Sequence, residues 1–241
     1  VSSMQALGQA RRAILSGECG IAIVGGVEEL SLISLQTFLK LGAYSTASEA
    51  KDACLPFDSR RKGIVLGEGA AFLVLQSTRS KASAKILSYA STNSCYHLTD
   101  SEPEGEGLYR AMNRCLLEAN VPVDLVVAHG TGTRVNDPSE CRAILRAVGN
   151  NVWVQSIKSR IGHTLAAAGI FNVVSAIMQA RHGYVGSTLG LQSPDPGCLV
   201  KHVPQEGLKT SVNHVLCNAA GFGGFNSSVV LDVSMSRGNN E

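Results

Sequence analysis

The chain has 241 residues, of which 44% are hydrophobic and 17% charged, and its formal net charge is +2. This composition is typical of a globular protein with a sizeable core, and the length permits one large domain or two smaller ones. Because the basic residues are scattered apart from the run at 60–62, the sequence lacks the dense basic face of a nucleic-acid binder.

Neither a membrane segment nor a signal peptide is expected. The sequence contains no apolar run of about 18 residues or more, and it does not open with a basic segment followed by an apolar one. Its seven cysteines have irregular spacing without a C-x-x-C pair, which indicates a reduced, intracellular set rather than a disulfide framework or a zinc site. We therefore expect a cytoplasmic protein that binds no metal.

The first 48 residues begin with a helix and continue into a buried strand. Apolar residues at helical spacing predict a helix over 1–16, and since no strand or cap precedes it, we expect the chain to begin inside a larger fold. The continuous apolar run at 21–24 predicts a strand buried on both faces, ended by Gly25 and Gly26. Short helices are expected within 28–48.

A second strand follows an irregular connection. Residues 56–68 are rich in Gly, Arg and Asp, which is typical of a loop. The apolar run at 70–76 predicts another buried strand, and the extended segment at 84–88 is its expected partner. These elements complete the first part of an alternating α/β pattern.

Polar and acidic residues accumulate at 91–106 and predict a surface loop between two halves, 1–95 and 96–241. The second half continues the alternation of strands and helices, which predicts an α/β layered fold. Its predicted elements are helices at 107–119, from 137 onward and at 164–182, and strands at 124–128, 152–155, 212–217 and 228–232.

The helix that opens at Asp137 carries a start signal. Asp137 is the predicted N-cap, Pro138 suits the first helical position, and Glu140 would complete a capping box. These assignments place both carboxylates at the end of the helix, where they would accept hydrogen bonds from its free N–H groups.

Three clusters in the second half carry chemistry, and the first is HGTGT at 129–133. His129 lies at the carboxyl end of a predicted strand, where open α/β sheets place their ligands. The glycines permit close approach of a substrate, and the hydroxyls of Thr131 and Thr133 can donate hydrogen bonds to it. Taken alone, a histidine that ends a strand for structural reasons is the simpler interpretation.

The second cluster is SIKSRIGH at 156–163, which leads into an alanine-rich helix. His163 at the start of that helix would adjoin the positive end of the helix dipole, which disfavours an imidazolium. A neutral imidazole that carries its proton on Nε2 is a good hydrogen-bond donor to a carbonyl oxygen. The alternative is a helix start with a buried alanine face.

The third cluster is NAAGFGGFN at 218–226, between the last two predicted strands. Glycines 221, 223 and 224 surround Phe222 and allow a turn whose N–H groups point into a cavity, as an oxyanion hole requires. The alternative is a glycine-rich hairpin.

In this order, HGTGT, SIKSRIGH and GFGG resemble the β-ketoacyl synthases of the thiolase superfamily. Three further segments also match that family: VGGVE at 24–28, PFD with GEGA at 56–70, and DPSE at 137–140. The two histidines are similar to those of the Cys-His-His condensing type. The resemblance implies a thiolase-like αβαβα fold, of which the chain holds the end of the first half and the complete second half.

The implied activity is decarboxylative Claisen condensation of an acyl thioester with malonyl-acyl carrier protein, in fatty-acid or polyketide biosynthesis. The family's nucleophilic cysteine would lie just before Val1, and no cysteine of this sequence occupies its position. The implied partners are acyl carrier protein, an N-terminal portion that carries the cysteine, and a second subunit in a homo- or heterodimer. No cofactor is implied beyond the phosphopantetheine that carries the substrates.

The resemblance also implies site roles. His129 and His163 would donate Nε2–H bonds to the enolate oxygen, the Phe222 amide would serve an oxyanion hole, and Lys158 would pair with Glu140. The implied catalytic residues are His129, His163, Lys158, Glu140 and Phe222. The implied substrate-binding residues are Thr131 and Thr133, which would hold the pantetheine arm, together with Gly221, Gly223, Gly224 and Phe225.

Phe225 replaces a threonine that is common in the family, and Ala219 and Ala220 replace Ser-Phe, so the acyl pocket is expected to differ. Two other hypotheses are compatible with the sequence. The first is a non-catalytic chain-length-factor partner of a ketosynthase, against which the retained histidines and lysine argue. The second is a thiolase-like enzyme with Cys217 as its base.

Overall fold

The computed structural model describes residues 1–77 and 82–235, which form a mixed α/β fold. The helices of this part are α1 (Ser2–Leu15), α2 (Leu32–Lys40), α3 (Glu106–Ala119), α4 (Asn136–Val148), α5 (Lys158–Ile161) and α6 (Ala168–His182). Its strands are β1 (Ile21–Glu28), β2 (Gly69–Gln76), β3 (Lys85–Asn93), β4 (Leu125–Val127), β5 (Trp153–Gln155), β6 (Tyr184–Val185), β7 (Leu208–Lys209), β8 (His214–Gly221) and β9 (Phe225–Asp232).

A five-stranded sheet in the order β3-β9-β8-β4-β5 joins β3 to four strands of the predicted second half. Strand β4 is parallel to both β5 and β8, and β8 and β9 form an antiparallel hairpin around the glycine turn. Helices α1 and α6 bury apolar side chains against one face of the sheet, and α3 and α4 cover the other. The predicted layered arrangement is confirmed for this sheet.

Strands β1 and β2 form a separate antiparallel pair. Within this chain, the predicted burial of both strands on two faces is seen on one face only, because alternate side chains of the pair stand in solvent. Ile23 and its partner Val74 are 75% and 68% exposed. Gly25 and Gly26 do not end β1, which continues to Glu28. The other face of the pair packs on α1 and α6, so the pair is covered on one side.

The predicted pairing of 84–88 with β2 is also wrong. Strand β3 pairs with β9, in a register that runs from Lys85 with Asp232 to Asn93 with Phe225. The partner of β2 is β1, which lies more than forty residues earlier in the chain. Strands that are close in sequence often pair, but here the long-range register prevails.

The predicted capping box is not formed. Helix α4 begins at Asn136, and its N-cap residue Val135 makes no side-chain cap; the hydroxyl of Thr133 accepts the N–H of Asn136 at 3.1 Å instead. Asp137 and Glu140 lie within the first turns of the helix, and both are buried. Their oxygens accept hydrogen bonds from loops that pass over the helix, because those loops have buried N–H groups that need acceptors.

Candidate functional site

A cavity of about 810 Å³ opens where the carboxyl ends of β4 and β8 meet the start of α1. All of the predicted site residues line it except Lys158 and Gly223. The lining also includes Val1, Phe38 from α2, and residues 99–102 from the loop before α3. The three sequence clusters, which are separated along the chain, therefore converge on one space.

Glu140 fixes the backbone that carries His129. Its Oε1 accepts the N–H of His129 and its Oε2 accepts the N–H of Gly130, each at 2.7 Å. Gly130 has φ of +37°, and a Cβ there would lie 2.6 Å from the Cβ of Ser156. The glycine is needed at this position because a side chain has neither the space nor the favoured backbone angle.

Asp137 holds the next residues of the same loop. Its Oδ1 accepts the N–H groups of Thr131 and Gly132, both at 3.1 Å, and its Oδ2 accepts that of Phe57 at 2.8 Å. Burial raises the pKa of Asp137, and the hydrogen bonds, with the Arg61 guanidinium 3.7 Å away, oppose that rise. The loop geometry therefore depends on a buried carboxylate that the sequence pattern had assigned to capping.

Lys158 lies beneath His129. Its ammonium donates to the carbonyl oxygen of His129 and lies 3.4 Å from Nδ1 of the same ring. Burial lowers the pKa of Lys158 to about 8, while the charge of Glu140 opposes the shift. An ammonium group has no acceptor, so Nδ1 of His129 must accept, and the ring's proton is on Nε2.

The predicted contact between Lys158 and Glu140 is wrong as a direct pair. Within the part of the chain that the structure describes, no ion pair within 4.0 Å joins them. The oxygens of Glu140 are occupied by the amides of the histidine loop, and the ammonium is occupied by His129. The two groups interact through charge across the loop instead.

His163 is held by the segment at 65–67. Its N–H donates to Val65 O at 2.7 Å, and its carbonyl accepts the N–H of Gly67 at 3.1 Å. The N–H of Leu165 donates to His163 Nδ1 at 3.1 Å, which leaves the ring proton on Nε2.

The His163 ring adjoins the start of a helical segment, as predicted, because a 3₁₀ turn at Leu165–Ala167 runs into α6 at Ala168 and the N–H of Leu165 faces the ring. The largest effect on its pKa has a different cause. Burial lowers the pKa of His163 well below its usual value, and the positive charge of Lys158 lowers it further. Burial and Lys158 lower the pKa of His129 in the same way. Both rings are therefore neutral near pH 7.

The two imidazoles meet edge to face, with ring centroids 5.1 Å apart and an interplanar angle of 81°. Each Nδ1 accepts a hydrogen bond from the protein, and each ring lines the cavity. The pair therefore presents two neutral Nε2–H donors to one space, which suits an oxygen that gains negative charge.

The glycine turn closes another side of the cavity. Gly223 and Gly224 have φ of 79° and 75°, in the region that favours glycine. Phe222 stacks on Phe38 with centroids 5.8 Å apart, and its side chain remains 45% exposed. A Cβ on Gly221 would lie 2.9 Å from Val1 Cγ2, so the turn adjoins the start of α1.

Two residues that contact the site were not predicted from the sequence. Phe38 stacks on Phe222, and the amide of Asn172 donates to the carbonyl oxygens of Ala128 and Asn218. Phe38 lies in a stretch without a motif, and only the fold brings it against Phe222. Asn172 lies on the buried face of an alanine-rich helix, where nothing in the local pattern distinguishes it. Asp137 was visible in the DPSE segment, but its contacts with the loop depend on tertiary structure.

Cys217 has no access to the cavity. It is buried in β8, its thiol faces Asn172 O at 3.6 Å, and burial raises its pKa strongly. Within the described residues, no group of three or more His, Cys, Asp and Glu side chains is arranged to hold a metal ion.

Two family models match the chain. Residues 1–81 match the β-ketoacyl synthase N-terminal domain, and residues 83–192 match the β-ketoacyl synthase C-terminal domain. The chain belongs to the β-ketoacyl synthase family. The predicted division between residues 95 and 96 stays a prediction.

Curated relatives are similar over most of the chain. It is 35% identical over 239 residues to 3-oxoacyl-[acyl-carrier-protein] synthase 2 of Coxiella burnetii, which is 93% of this chain and 58% of that protein. The enzyme of the same name from Staphylococcus aureus is 33% identical over 238 residues, with the same shares covered. The ketosynthase chain thus spans less than two thirds of the length of these relatives.

Solved structures support the thiolase-like layered fold that the motifs implied. A β-ketoacyl synthase from Burkholderia phymatum superposes with a TM-score of 0.92 at 32% identity, over 96% of this chain and 59% of that one. A ketosynthase bound to a hexaketide, in complex with its type II polyketide acyl-carrier protein, gives 0.91 at 31%, over 95% and 60%.

Among residues 1–77 and 82–235, no helix has both the length and the apolar character needed to cross a membrane.

Proposed function

We propose that the chain is part of a β-ketoacyl-[acyl-carrier-protein] synthase that condenses an acyl thioester with malonyl-acyl carrier protein. The observation that carries this proposal is the pair of neutral imidazoles at 129 and 163, which present Nε2–H donors to a cavity bounded by a glycine turn. Two curated relatives are named 3-oxoacyl-[acyl-carrier-protein] synthase 2, and one solved relative is a type II polyketide ketosynthase.

Decarboxylation of the malonyl thioester breaks the bond to the carboxylate, releases CO₂ and leaves its electron pair in an enolate. The thioester oxygen then carries negative charge, which His129 and His163 stabilise by hydrogen bonding without transferring a proton. The enolate carbon attacks an acyl group held on a cysteine, a carbon–carbon bond forms, and the thiolate leaves. The amide of Phe222 stabilises the tetrahedral oxyanion of that second step.

The nucleophilic cysteine belongs, in this proposal, to the portion that precedes Val1 in the relatives. Cys54 is the cysteine nearest to the buried lysine, but its thiol donates to Lys158 O and burial raises its pKa to about 11. Val1 lines the cavity and adjoins the glycine turn, so a residue before it would lie beside the imidazoles.

The N-terminal portion would also cover an exposed apolar surface of this chain. The bare face of the β1–β2 pair exposes five large apolar side chains, which is unfavourable in water unless another layer packs on them. They are Ile21, Ile23, Val27, Phe72 and Val74. About two fifths of the relatives' own length lies outside the part that this chain matches, and that portion is the proposed layer.

The remaining partners are also proposals. Acyl carrier protein would deliver both substrates on phosphopantetheine, whose arm would pass Thr131 and Thr133, with hydroxyls 3.1 Å apart. No other cofactor is proposed. A second ketosynthase or chain-length-factor subunit would complete a dimer, as the solved complexes of relatives contain such pairs. A cytoplasmic location fits the seven unpaired cysteines.

The experiment is to express the chain with the segment that precedes it in its own gene, and to supply acyl-primer and malonyl-acyl carrier protein. We expect release of CO₂ and formation of a β-ketoacyl-acyl carrier protein whose acyl chain is longer than that of the primer by the two carbons left from malonate. A non-catalytic partner subunit would give neither product, and it would have a residue other than cysteine before Val1.

A further inference from the structure

Helix α6 places the side-chain amide of Asn172 between the ends of β4 and β8, the two strands that lead into the site. Asn172 is 1% exposed, and its Nδ2 donates to Ala128 O at 3.2 Å and to Asn218 O at 2.9 Å. Ala128 immediately precedes His129, and Asn218 lies in β8, which leads into the glycine turn. One side chain therefore contacts both elements that the proposed chemistry uses.

The Asn172 amide links β4 and β8 just beyond the last residue pair of their register. The parallel register of β4 with β8 runs from Leu125 with Val215 to Val127 with Cys217. Asn172 bridges the next residue of each strand, where the sheet provides no further rung. The amide thus fixes the separation of the two strand ends at the level of the cavity.

A hydrogen-bond donor is required at this position. Two carbonyl oxygens face Nδ2, and the Oδ1 of Asn172 is buried without a hydrogen-bond partner among the described atoms. Turning the amide over would bring three oxygens together, which leaves the carbonyls unsatisfied. Only the observed orientation satisfies them, so the side chain has a defined state.

The bridge also joins the network that holds His129. Asn218 Nδ2 lies 3.3 Å from Glu140 Oε1, the same oxygen that accepts the N–H of His129. A shift of the β8 end would therefore be transmitted both to the glycine turn and to the carboxylate that orients the histidine loop.

We infer that Asn172 is a positioning residue for condensation, which sets the distance between His129 and the glycine turn. This inference rests on the proposed function, because it needs a condensing activity to measure. It predicts that loss of the donor lowers the rate of the chemical step more than it weakens substrate binding, since Asn172 does not line the cavity.

The test is Asn172→Asp in the full-length protein, which keeps the size of the side chain and removes the donor. The matched control is Gln179→Glu, about two turns along the same helix. Gln179 is a half-buried amide whose Nε2 donates to Ser175, and whose Oε1 accepts from Gln155 and Gly186.

We expect kcat for condensation to fall at least about 10-fold in Asn172→Asp, because small displacements of catalytic groups reduce the rate strongly. KM for malonyl-acyl carrier protein should stay within about 2-fold of the wild-type value. Gln179→Glu should lose thermal stability but keep kcat. If the two variants lose stability equally and keep similar kcat values, Asn172 is merely structural and the inference fails.

A second variant keeps the inference testable if Asn172→Asp does not fold. Asn172→Ala leaves room for a water molecule that can donate to the same carbonyls, so a folded protein with partial loss of kcat is expected. A wild-type kcat in this variant contradicts the inference. Failure of the wild-type protein itself to condense would instead contradict the proposed function.

Discussion

The Nε2–H groups of His129 and His163 are set by two different protein donors. The buried ammonium of Lys158 faces one Nδ1, and the backbone N–H of Leu165 faces the other. The first is titratable and the second is not. The two histidines therefore share a chemical state near pH 7, but only His129 depends on a group whose protonation changes with pH.

The histidines should contribute to the rate as hydrogen-bond donors. His129→Ala or His163→Ala is expected to lower malonyl decarboxylation by roughly 10²–10³-fold, which is the usual cost of removing one oxyanion donor. The control is His182→Ala at the exposed end of α6. Loss of less than about 5-fold in both site variants would contradict the role.

Lys158 should give the activity a descending limb at alkaline pH. Its pKa in the folded protein is about 8, and once the amine is neutral its lone pair can accept a hydrogen bond from the Nδ1–H tautomer of His129. The Nε2–H state of His129 is then no longer enforced, so we expect kcat to fall as the pH rises above about 8. The limb should be absent in Lys158→Met, whose rate is lower but independent of pH between 7 and 9.

The same group should affect stability. The pKa of Lys158 is lower in the folded protein than the ordinary value of 10.5, so the unfolded chain binds more protons between pH 8 and 10.5. The free energy of unfolding of the wild type should therefore rise by about 3 kcal/mol across that range relative to Lys158→Met. Chemical denaturation at several pH values measures the difference. A constant difference would show that the lysine is not desolvated.

Glu140 should be important for stability and for rate, because both of its oxygens accept buried N–H groups. Glu140→Gln keeps one acceptor and turns an NH₂ group toward the other N–H. We expect a loss of about 1–3 kcal/mol in the free energy of unfolding, together with reduced condensation. Glu49→Gln, on an exposed segment, is the control. Unchanged stability in Glu140→Gln would exclude the clamp.

The Phe38–Phe222 stack should restrict the length of the acyl chain. Phe38→Ala removes the ring that supports Phe222 and enlarges the cavity on the α2 side. We expect kcat/KM for longer acyl primers to rise relative to shorter ones. The control is Phe171→Leu, which lies on α6 against Gly69. An identical chain-length profile in Phe38→Ala would remove the aromatic pair from substrate selection.

The site residues could be predicted from the sequence because they occur in short local runs. Histidines, glycines and threonines at 129–133, 156–163 and 218–226 are neighbours in the chain, and strand ends bring such runs together at one edge of a sheet. Most helices and strands were also predictable from apolar periodicity. The roles of these residues, however, depend on contacts that no local pattern contains.

The failures of prediction share a physical cause. An apolar run like 21–24 has the same appearance whether one face or both are covered by other layers. The partner of β3 is β9, far along the chain, so proximity in sequence was misleading. Glu140 at the start of α4 fits a capping box, but the buried amides of the histidine loop compete for its oxygens. Tertiary contacts decided each case.

The most direct test of the account is the protonation state of the two histidines, measured by ¹⁵N NMR on histidine-labelled full-length protein at pH 7, with His129→Ala and His163→Ala for assignment. The account predicts two neutral rings, each with a protonated Nε2 and an unprotonated Nδ1. An imidazolium at either position, or a proton on Nδ1, would contradict it.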